Sequence, residues 1–501
     1  MKNLCSKLIL LLCLAVLLTG LCACGDGLSR EEREALAAEY AKTELSLAVD
    51  DPEGLAVLEQ YTQLEKLDLS GSSCYEAIEK YIAAHPDVDV SYTLLLGSDG
   101  MTVGSRAESA LLEKGEYVAA LASYGPYLHD LRVIAISDPA FTTADLAALA
   151  AAFPEADILF RISPEQPDIP FTAAELDLSA LRPENADAAA GFLEKMPALA
   201  RVNMTAADGT NLLSFTELKM LQDAAPGAVF DYRFDSFGRT VSTADEYVEY
   251  GVDPRAYIYN AGLEQIREMM PCMTRLKSMY FQYCQIDYDV LARFRDDFPG
   301  VDIVWRIDFG PYSCRTDTER IFANGSLDGN SVYNLRYCTK VKYLDLGHNN
   351  QLSNIDFAAF MPDLEIAILA DTAIRDISPL ANCPKLRYLE IFVTSISDLS
   401  PLASCTELEH LNVSCCFSLR DLSPLFGLTK LKRLWNTFTN VPKSQRDEIM
   451  ALMPDCSFCF DRITSTGKGW RYDSNGNINE YYAEVYEIFG YDDWRENISY
   501  W

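Results

Sequence analysis

The chain has 501 residues, 49% of them hydrophobic, and a formal net charge of −32. That is enough apolar side chain to bury a long core, and ordinary domain sizes suggest two or three globular units unless the chain repeats itself. The acidic excess opposes nucleic acid and anionic lipid surfaces and favours basic or neutral partners, besides serving solubility.

Lys2 and Lys7 precede an apolar run, LILLLCLAVLLTG from Leu8 to Gly20, and together they read as an export signal. The run is shorter than the about 20 apolar residues that a spanning helix needs. It ends in Leu21, Cys22 and Ala23 ahead of Cys24, which resembles the lipobox of bacterial lipoproteins. The resemblance implies a signal peptide over residues 1–23, cleavage before Cys24, and lipid on the Cys24 sulfur and new amino group. Two or more acyl chains hold a protein stably on a membrane, each buried methylene contributing roughly 0.8 kcal/mol. Residues 24–43 then form a spacer and a first cap, the amphipathic SREEREALAAEYAK from Ser29 to Lys42.

Residues 44–337 carry a faint rhythm in threes. LEKLDL from Leu64, LRVIAI from Leu131, LARVNM from Leu199 and LKSMYF from Leu276 are each followed 22 to 27 residues later by a proline and a strand. Those strands are HPDVDVSYTL at Pro86, FPEADILFRI at Pro154, APGAVFDYRF at Pro226 and FPGVDIVWRI at Pro299. Helix-compatible stretches such as TTADLAALAAAF and DYDVLARFRDDF lie between. A weaker third segment precedes each pair: TELSL from Thr43, AESALL from Ala107, AELDLS from Ala174, RAYIYN from Arg255, and TERIF from Thr318 ahead of the regular part. The segments that follow the proline-led strands, such as LLGSDGMTVGSR and IDFGPYSCRTD, read as loops on one rim and as candidate contacts.

From 338 to 440 the repeat is regular. VKYLDL, LEIAIL, LRYLEI, LEHLNV and LKRLWN start at Val341, Leu364, Leu386, Leu408 and Leu431, in steps of 23, 22, 22 and 23 residues. This resembles the leucine-rich repeat, and the SPL at Ser378, Ser400 and Ser423 resembles its internalin-like, 22-residue bacterial subclass. Where the family has a ladder asparagine, this chain has Asn349, Thr372, Thr394 and Cys416. One such strand cannot bury its apolar face alone, but parallel neighbours bury a continuous core and pair their backbones. The expected fold is α/β, a curved leucine-rich repeat solenoid of about nineteen rungs. A parallel sheet lines its concave face, with helices or turns on the convex one. Residues 441–501 supply a last rung, MPDCSFCF from Met453, and a C-terminal cap that closes the end.

Signals for chemistry are weak. Of 15 cysteines, Cys5, Cys13 and Cys22 leave with the signal and Cys24 takes lipid, so 11 remain and imply no disulfide framework. Cys338, Cys383 and Cys405 fall at a recurrent apolar position and read as buried thiols. The Cys456 and Cys459 pair sits on a strand, where alternation sends positions three apart to opposite faces, and it lacks further ligands. YDSNGNINE from Tyr472 lacks the glycine and glutamate spacing of a calcium loop and reads as a polar turn. TGKGW lacks phosphate-loop spacing, and His85, His129, His348 and His410 have no flanking nucleophile motif. No enzyme, no cofactor and no metal is expected.

Alternation along each regular strand turns a column outward: Tyr343 and Asp345, Ile366 and Ile368, Tyr388, Glu390 and Phe392, His410 and Asn412, Arg433 and Trp435. The family resemblance implies that a ligand, usually a protein, docks there, and aromatics and arginine are the residue types that anchor interfaces. The same aromatics also stabilise neighbouring strands, at roughly 0.2–1 kcal/mol per pair. Upstream, Asp157 with Arg161, Asp231 with Arg233, and Asp302 with Arg306 form a second outward column. The reading is a non-enzymatic lipoprotein of the bacterial cell envelope, extracytoplasmic, that binds a protein or glycan partner on the concave face and touches the membrane through Cys24. The alternative is a structural or assembly scaffold of the envelope with no extracellular ligand.

Overall fold

The computed structural model describes residues 29–491 apart from 164–165, 254–256, 462–464 and 467–468. The signal segment and Cys24 therefore lie outside the described residues. Two units are formed, one ending at Phe234 and one beginning at Asp235.

The first unit opens on the helix Arg30–Tyr40 and contains three sets of three parallel strands. They are Glu44–Ser46, Lys66–Asp68 and Asp89–Ser91; then Ser109–Leu112, Val133–Ile136 and Asp157–Phe160; then Glu175–Asp177, Arg201–Asn203 and Val229–Asp231. Helices connect the strands, and their starts are set by local chemistry. Thr142 and Asp145 form a capping box at Thr143–Ala152, and Ser214 and Glu217 another at Phe215–Ala224.

The segments expected as rim loops are hairpin arms in part. Thr93–Leu95 pairs antiparallel with Thr102–Gly104, and Leu159 and Phe160 pair with Pro170 and Ile169. In the second set the antiparallel arm takes the free edge of Asp157–Phe160, so the parallel run stops there after three strands.

After the strand Arg239–Ser242, the second unit carries the parallel strands Tyr247–Tyr250, Ser278–Phe281 and Asp302–Phe309, the last of which turns back on Tyr312–Arg315. The first of these corrects the expectation for RAYIYN. YVEY supplies the strand, with Val248 and Tyr250 buried, while Tyr259 opens the helix Tyr259–Met269.

Seven parallel strands follow: Arg320–Phe322, Tyr343–Asp345, Ile366–Ile368, Tyr388–Glu390, His410–Asn412, Arg433–Trp435 and Ser457–Cys459. Their central residues Leu344, Ala367, Leu389, Leu411 and Leu434 lie in register and are all fully buried. This is a leucine-rich repeat fold, with one strand per 22 to 24 residues. The return paths here are single turns of 3-10 helix over Ser378–Asn382, Ser400–Ser404 and Ser423–Leu425. Each begins where an aspartate, Asp376, Asp398 or Asp421, accepts the backbone N–H of the serine at 2.8 Å. Proline next in line removes a donor that such a first turn leaves free.

After the five strands from Tyr343–Asp345 to Arg433–Trp435 the chain takes a left-handed residue, His348, Asp371, Val393, Cys415 and Phe438, with φ between 54° and 60°. The backbone N–H groups of the first four reach a carbonyl of the next rung at 2.8–3.0 Å. That conformation is costly for a β-branched residue such as Val393, so the rung register holds it in place.

The ladder positions each keep at least one hydrogen bond despite their varied chemistry. Asn349 accepts from Leu327 N–H and donates to Ala323 and Leu346 carbonyls, whereas Thr372, Thr394 and Cys416 each donate to a carbonyl, at 2.8, 2.8 and 3.3 Å. Cys338, Cys383 and Cys405 are fully buried, and the last two thiols donate to carbonyls 25 residues back. All 11 cysteines from Cys74 to Cys459 are free thiols.

A candidate interaction face, covered by the C-terminal segment

Two outward columns run across the seven-stranded sheet. One holds Arg320, Tyr343, Ile366, Tyr388, His410 and Arg433; the other holds Phe322, Asp345, Ile368, Glu390, Asn412, Trp435 and Cys459. Both columns point away from the leucine core, as alternation requires. Their exposure differs from the expectation. Tyr343 is half-buried, and Asp345, Tyr388, Glu390, Phe392, His410, Asn412, Arg433 and Trp435 are all buried.

The cover is the chain's own C-terminal segment. Trp470 and the helix Glu480–Phe489 close over the columns, and Tyr482, Val485 and Phe489 join Phe322, Ile366, Ile368, Tyr388 and Trp435 in one apolar cluster. Tyr482, Val485, Tyr486 and Phe489 are spaced to fall on one helical face. Asn479 caps the helix start by accepting from Tyr481 N–H, and Gly490 ends it in the left-handed conformation. The segment is thus more than the end closure expected from sequence. It runs from Ser465, whose carbonyl accepts from Asn412, to Ile488, whose carbonyl accepts from Arg320 in the first strand. Gly469 has φ of 119°, and a side chain there would meet Trp435 at 3.2 Å.

Glu390 is the hub of the contact with the C-terminal segment. Its carboxylate is fully buried and accepts from Tyr388 Oη at 2.5 Å, Trp470 Nε1 at 2.7 Å and the Arg471 guanidinium. Arg471 lies over the Tyr482 ring as well. Burial works against its charge, but the Glu390 carboxylate outweighs that and holds the guanidinium proton more tightly than usual. Two rungs earlier Tyr491 Oη donates to Asp345 at 2.6 Å, and burial raises the Asp345 pKa despite that bond. Outside the column, Arg387 bridges to Glu484 on the helix and to Glu365.

Arg433 is bound less well. It is 3% exposed, donates through Nε to His410 Nδ1 and through Nη1 to the Trp470 carbonyl, and stacks on Trp470 and Tyr481. Among the described residues, its Nη2 has no acceptor. Both of its hydrogen-bond acceptors are neutral, and burial lowers its pKa. Burial, reinforced by Arg433, Lys432 and Arg387, pushes His410 down to about 3, so His410 stays neutral and accepts.

The second expected column is partly re-paired. Asp231 and Arg233 do form an ion pair at 2.7 Å, but Arg161 pairs with Asp168 and Arg306 with Asp308, while Asp302 meets Lys340. Cys456 and Cys459 are buried separately, Cys459 beside Trp435 on the next strand and in the apolar cluster with Trp470. Asp473 accepts backbone N–H groups of Asn475 and Asn477, making YDSNGNINE a self-satisfied turn. Among the described residues, no three or more His, Cys, Asp and Glu side chains are placed to hold a metal ion, and no helix is long and apolar enough to cross a membrane. A cleft of about 330 Å³ near the loop after Ser278–Phe281 is lined by Tyr283, Asp287, Tyr288 and Arg306, a grouping that no sequence motif marked.

No protein-family model and no curated protein matches the chain. Among solved structures it is similar to an internalin, InlF, of Listeria monocytogenes, at 16% identity and a TM-score of 0.25, covering 87% of this chain and 83% of that one. It is also similar to a leucine-rich repeat protein of Leptospira interrogans, at 13% identity and a TM-score of 0.26, covering 85% and 98%. The functional domain of InlJ from Listeria monocytogenes, described as including a cysteine ladder, shares 12% identity at a TM-score of 0.24 and covers 83% and 62%. The repeat register described above stands independently of these likenesses.

Proposed function

We propose that this protein is a non-enzymatic recognition scaffold, held at the bacterial cell envelope by lipid on Cys24, that binds a protein partner through its leucine-rich repeats. One observation carries the reading: the outward face of the seven-stranded sheet already holds a polypeptide segment, through Glu390 with Arg471 and Trp470 and through an aromatic cluster. A rigid sheet with side chains fixed by their neighbours loses little conformational entropy on binding. Buried tyrosine, tryptophan and arginine around one carboxylate have the composition of an interface centre. They favour a polypeptide over a glycan, since both the charged and the apolar parts of the occupant are protein side chains.

The second reading, an envelope scaffold without an extracellular ligand, is favoured by the cover itself, which leaves no open column on this sheet. Photo-cross-linking separates the two. The chain from residue 24 onward, with Cys24→Ser, is given a photoreactive residue at exposed Tyr481 or, on a different sheet's rim, at exposed Tyr283. Saturable adducts with one protein from envelope or host-cell fractions, competed by unlabelled chain, are the expected result. Adducts confined to neighbouring envelope proteins and formed from either position alike replace recognition with the scaffold reading.

A further inference from the structure

The C-terminal segment satisfies one end of the face and fails the other. At Glu390 every feature is met: a guanidinium, an indole N–H and a phenol converge on one carboxylate. Two strands away the cation of Arg433 is buried with a histidine nitrogen and a backbone carbonyl as acceptors, and its Nη2 finds none among the described residues. A buried donor without an acceptor loses its hydration and gains nothing for it. An arginine so placed is a half-built carboxylate site, since its fork matches two carboxylate oxygens. Thr437 Oγ1, also on the outward side and fully buried, is unpartnered too.

The segment is tethered yet slight. Beyond the last strand its described residues hold one ten-residue helix joined by turns, and none of these residues pairs as a strand with that sheet. Units of this kind open at lower free energy than a paired core.

We propose that residues 469–491 are a displaceable occupant of the outward face, and that the partner this face fits is a polypeptide segment bearing an arginine for Glu390 and a carboxylate for Arg433. This rests on the recognition reading above and names the class of ligand. Glu480 of the segment and Glu390 act on Arg433 through space only, so the partner wins over the tethered segment by supplying a carboxylate hydrogen-bonded to that guanidinium. Within the segment, Tyr481 stacks on that guanidinium, 4.4 Å from ring centre to Arg433, so position 481 is where an acidic side chain would reach it.

The test uses the full chain from residue 24, with Cys24→Ser, and a fluorescent synthetic peptide of residues 469–491. Anisotropy should report saturable binding whose association rate levels off at high peptide, because departure of the tethered segment limits it. An Arg471→Ala peptide should bind at least tenfold more weakly, and a Tyr481→Glu peptide several-fold more tightly. Hydrogen exchange of the same chain should show the amides of Tyr482–Phe489 exchanging faster than those of Tyr388–Glu390. Absence of peptide binding overturns the proposal whichever way the helix exchanges, while leaving intact any partner found by cross-linking at other surfaces. Binding indifferent to Arg471→Ala or weakened by Tyr481→Glu overturns the assignment of ligand class.

Discussion

Two sheets of the second unit display similar side chains outward and treat them in opposite ways. On the strands Tyr247–Tyr250, Ser278–Phe281 and Asp302–Phe309, the outward Tyr247, Asp302 and Asp308 are exposed, and Arg306 finds its carboxylate two residues away in Asp308, at 3.1 Å. On the seven-stranded sheet Glu390 is fully buried and its cation comes from Arg471, 81 residues on. A charge met by a neighbour in its own strand can stay in water at little cost. One whose partner must arrive from a distant segment is buried when that segment docks, and the docking depends on it.

Removing the two carboxylates is the sharpest way to break that comparison. Glu390→Ala strands a buried guanidinium and an indole N–H, a loss of about 3–5 kcal/mol. Because Arg471 sits on the covering segment, the chain can avoid part of this by releasing it. The expected readout is collapse of hydrogen-exchange protection over Tyr482–Phe489, with the strands of the sheet still protected. Equal loss of protection in helix and sheet would mean that the cover is integral to the core.

Mild acid should act on the covered sheet through His410. His410 is held near 3 when folded against 6.5 in the unfolded chain, by burial first and then by Arg433, Lys432 and Arg387. Glu409 lies 3.8 Å from its Nε2, and Tyr388 and Tyr481 pack against its ring. As pH falls below about 6.5 the unfolded chain takes up the proton first, so stability present above that value is lost toward pH 3, at about 1.4 kcal/mol per unit. Asp345 works the other way: burial raises its folded pKa, so it protonates first in the folded state and gains stability on acidification. His410→Gln keeps an acceptor for Arg433 and leaves Asp345 in place. Denaturation midpoints at about pH 5 and about pH 7.5 should differ less for this variant than for the parent chain.

The inward side of the same sheet offers a change of opposite sign. Asn436 occupies the position filled by Leu346, Leu369, Ile391 and Val413 in the preceding rungs, is fully buried, and has neither polar side-chain atom partnered among the described residues. Asn436→Leu should raise stability by about 1–3 kcal/mol, seen as a higher denaturant midpoint. A lower midpoint would mean that the amide fits where a branched apolar side chain does not.

Much of this architecture is legible from residue pattern because one strand per 22 to 24 residues leaves a period that needs no knowledge of distant contacts. VKYLDL, LEIAIL, LRYLEI, LEHLNV and LKRLWN all hold strands, and each SPL opens a 3-10 turn. Alternation also tells correctly which side chains leave the leucine core, Tyr388 and Glu390 among them. What it does not encode is whether anything lies over them, since that depends on a segment some 80–100 residues away in sequence. The helical spacing of Tyr482, Val485, Tyr486 and Phe489, between Asn479 and Gly490, was a usable sign of an apolar face needing a surface to cover. RAYIYN failed for a different reason: its tyrosines suit a strand, but Tyr259 takes the left-handed conformation at a helix start, and YVEY holds the register.

The smallest expected effect closes the comparison. Asp308 is 64% exposed and its ion pair with Arg306 is bathed in solvent, while Arg306 also donates to Tyr283 Oη at 3.3 Å and lies over that ring. Asp308→Ala should therefore cost less than about 1 kcal/mol, and less still at high salt, because water and the tyrosine replace what the carboxylate gave. Set beside Glu390→Ala in the same denaturation and exchange experiments, it separates charge that is merely displayed from charge that holds a segment in place. A loss at Asp308 approaching that at Glu390 would mean that this outward face, too, carries a structural charge network, and distance along the chain would no longer distinguish the two sheets.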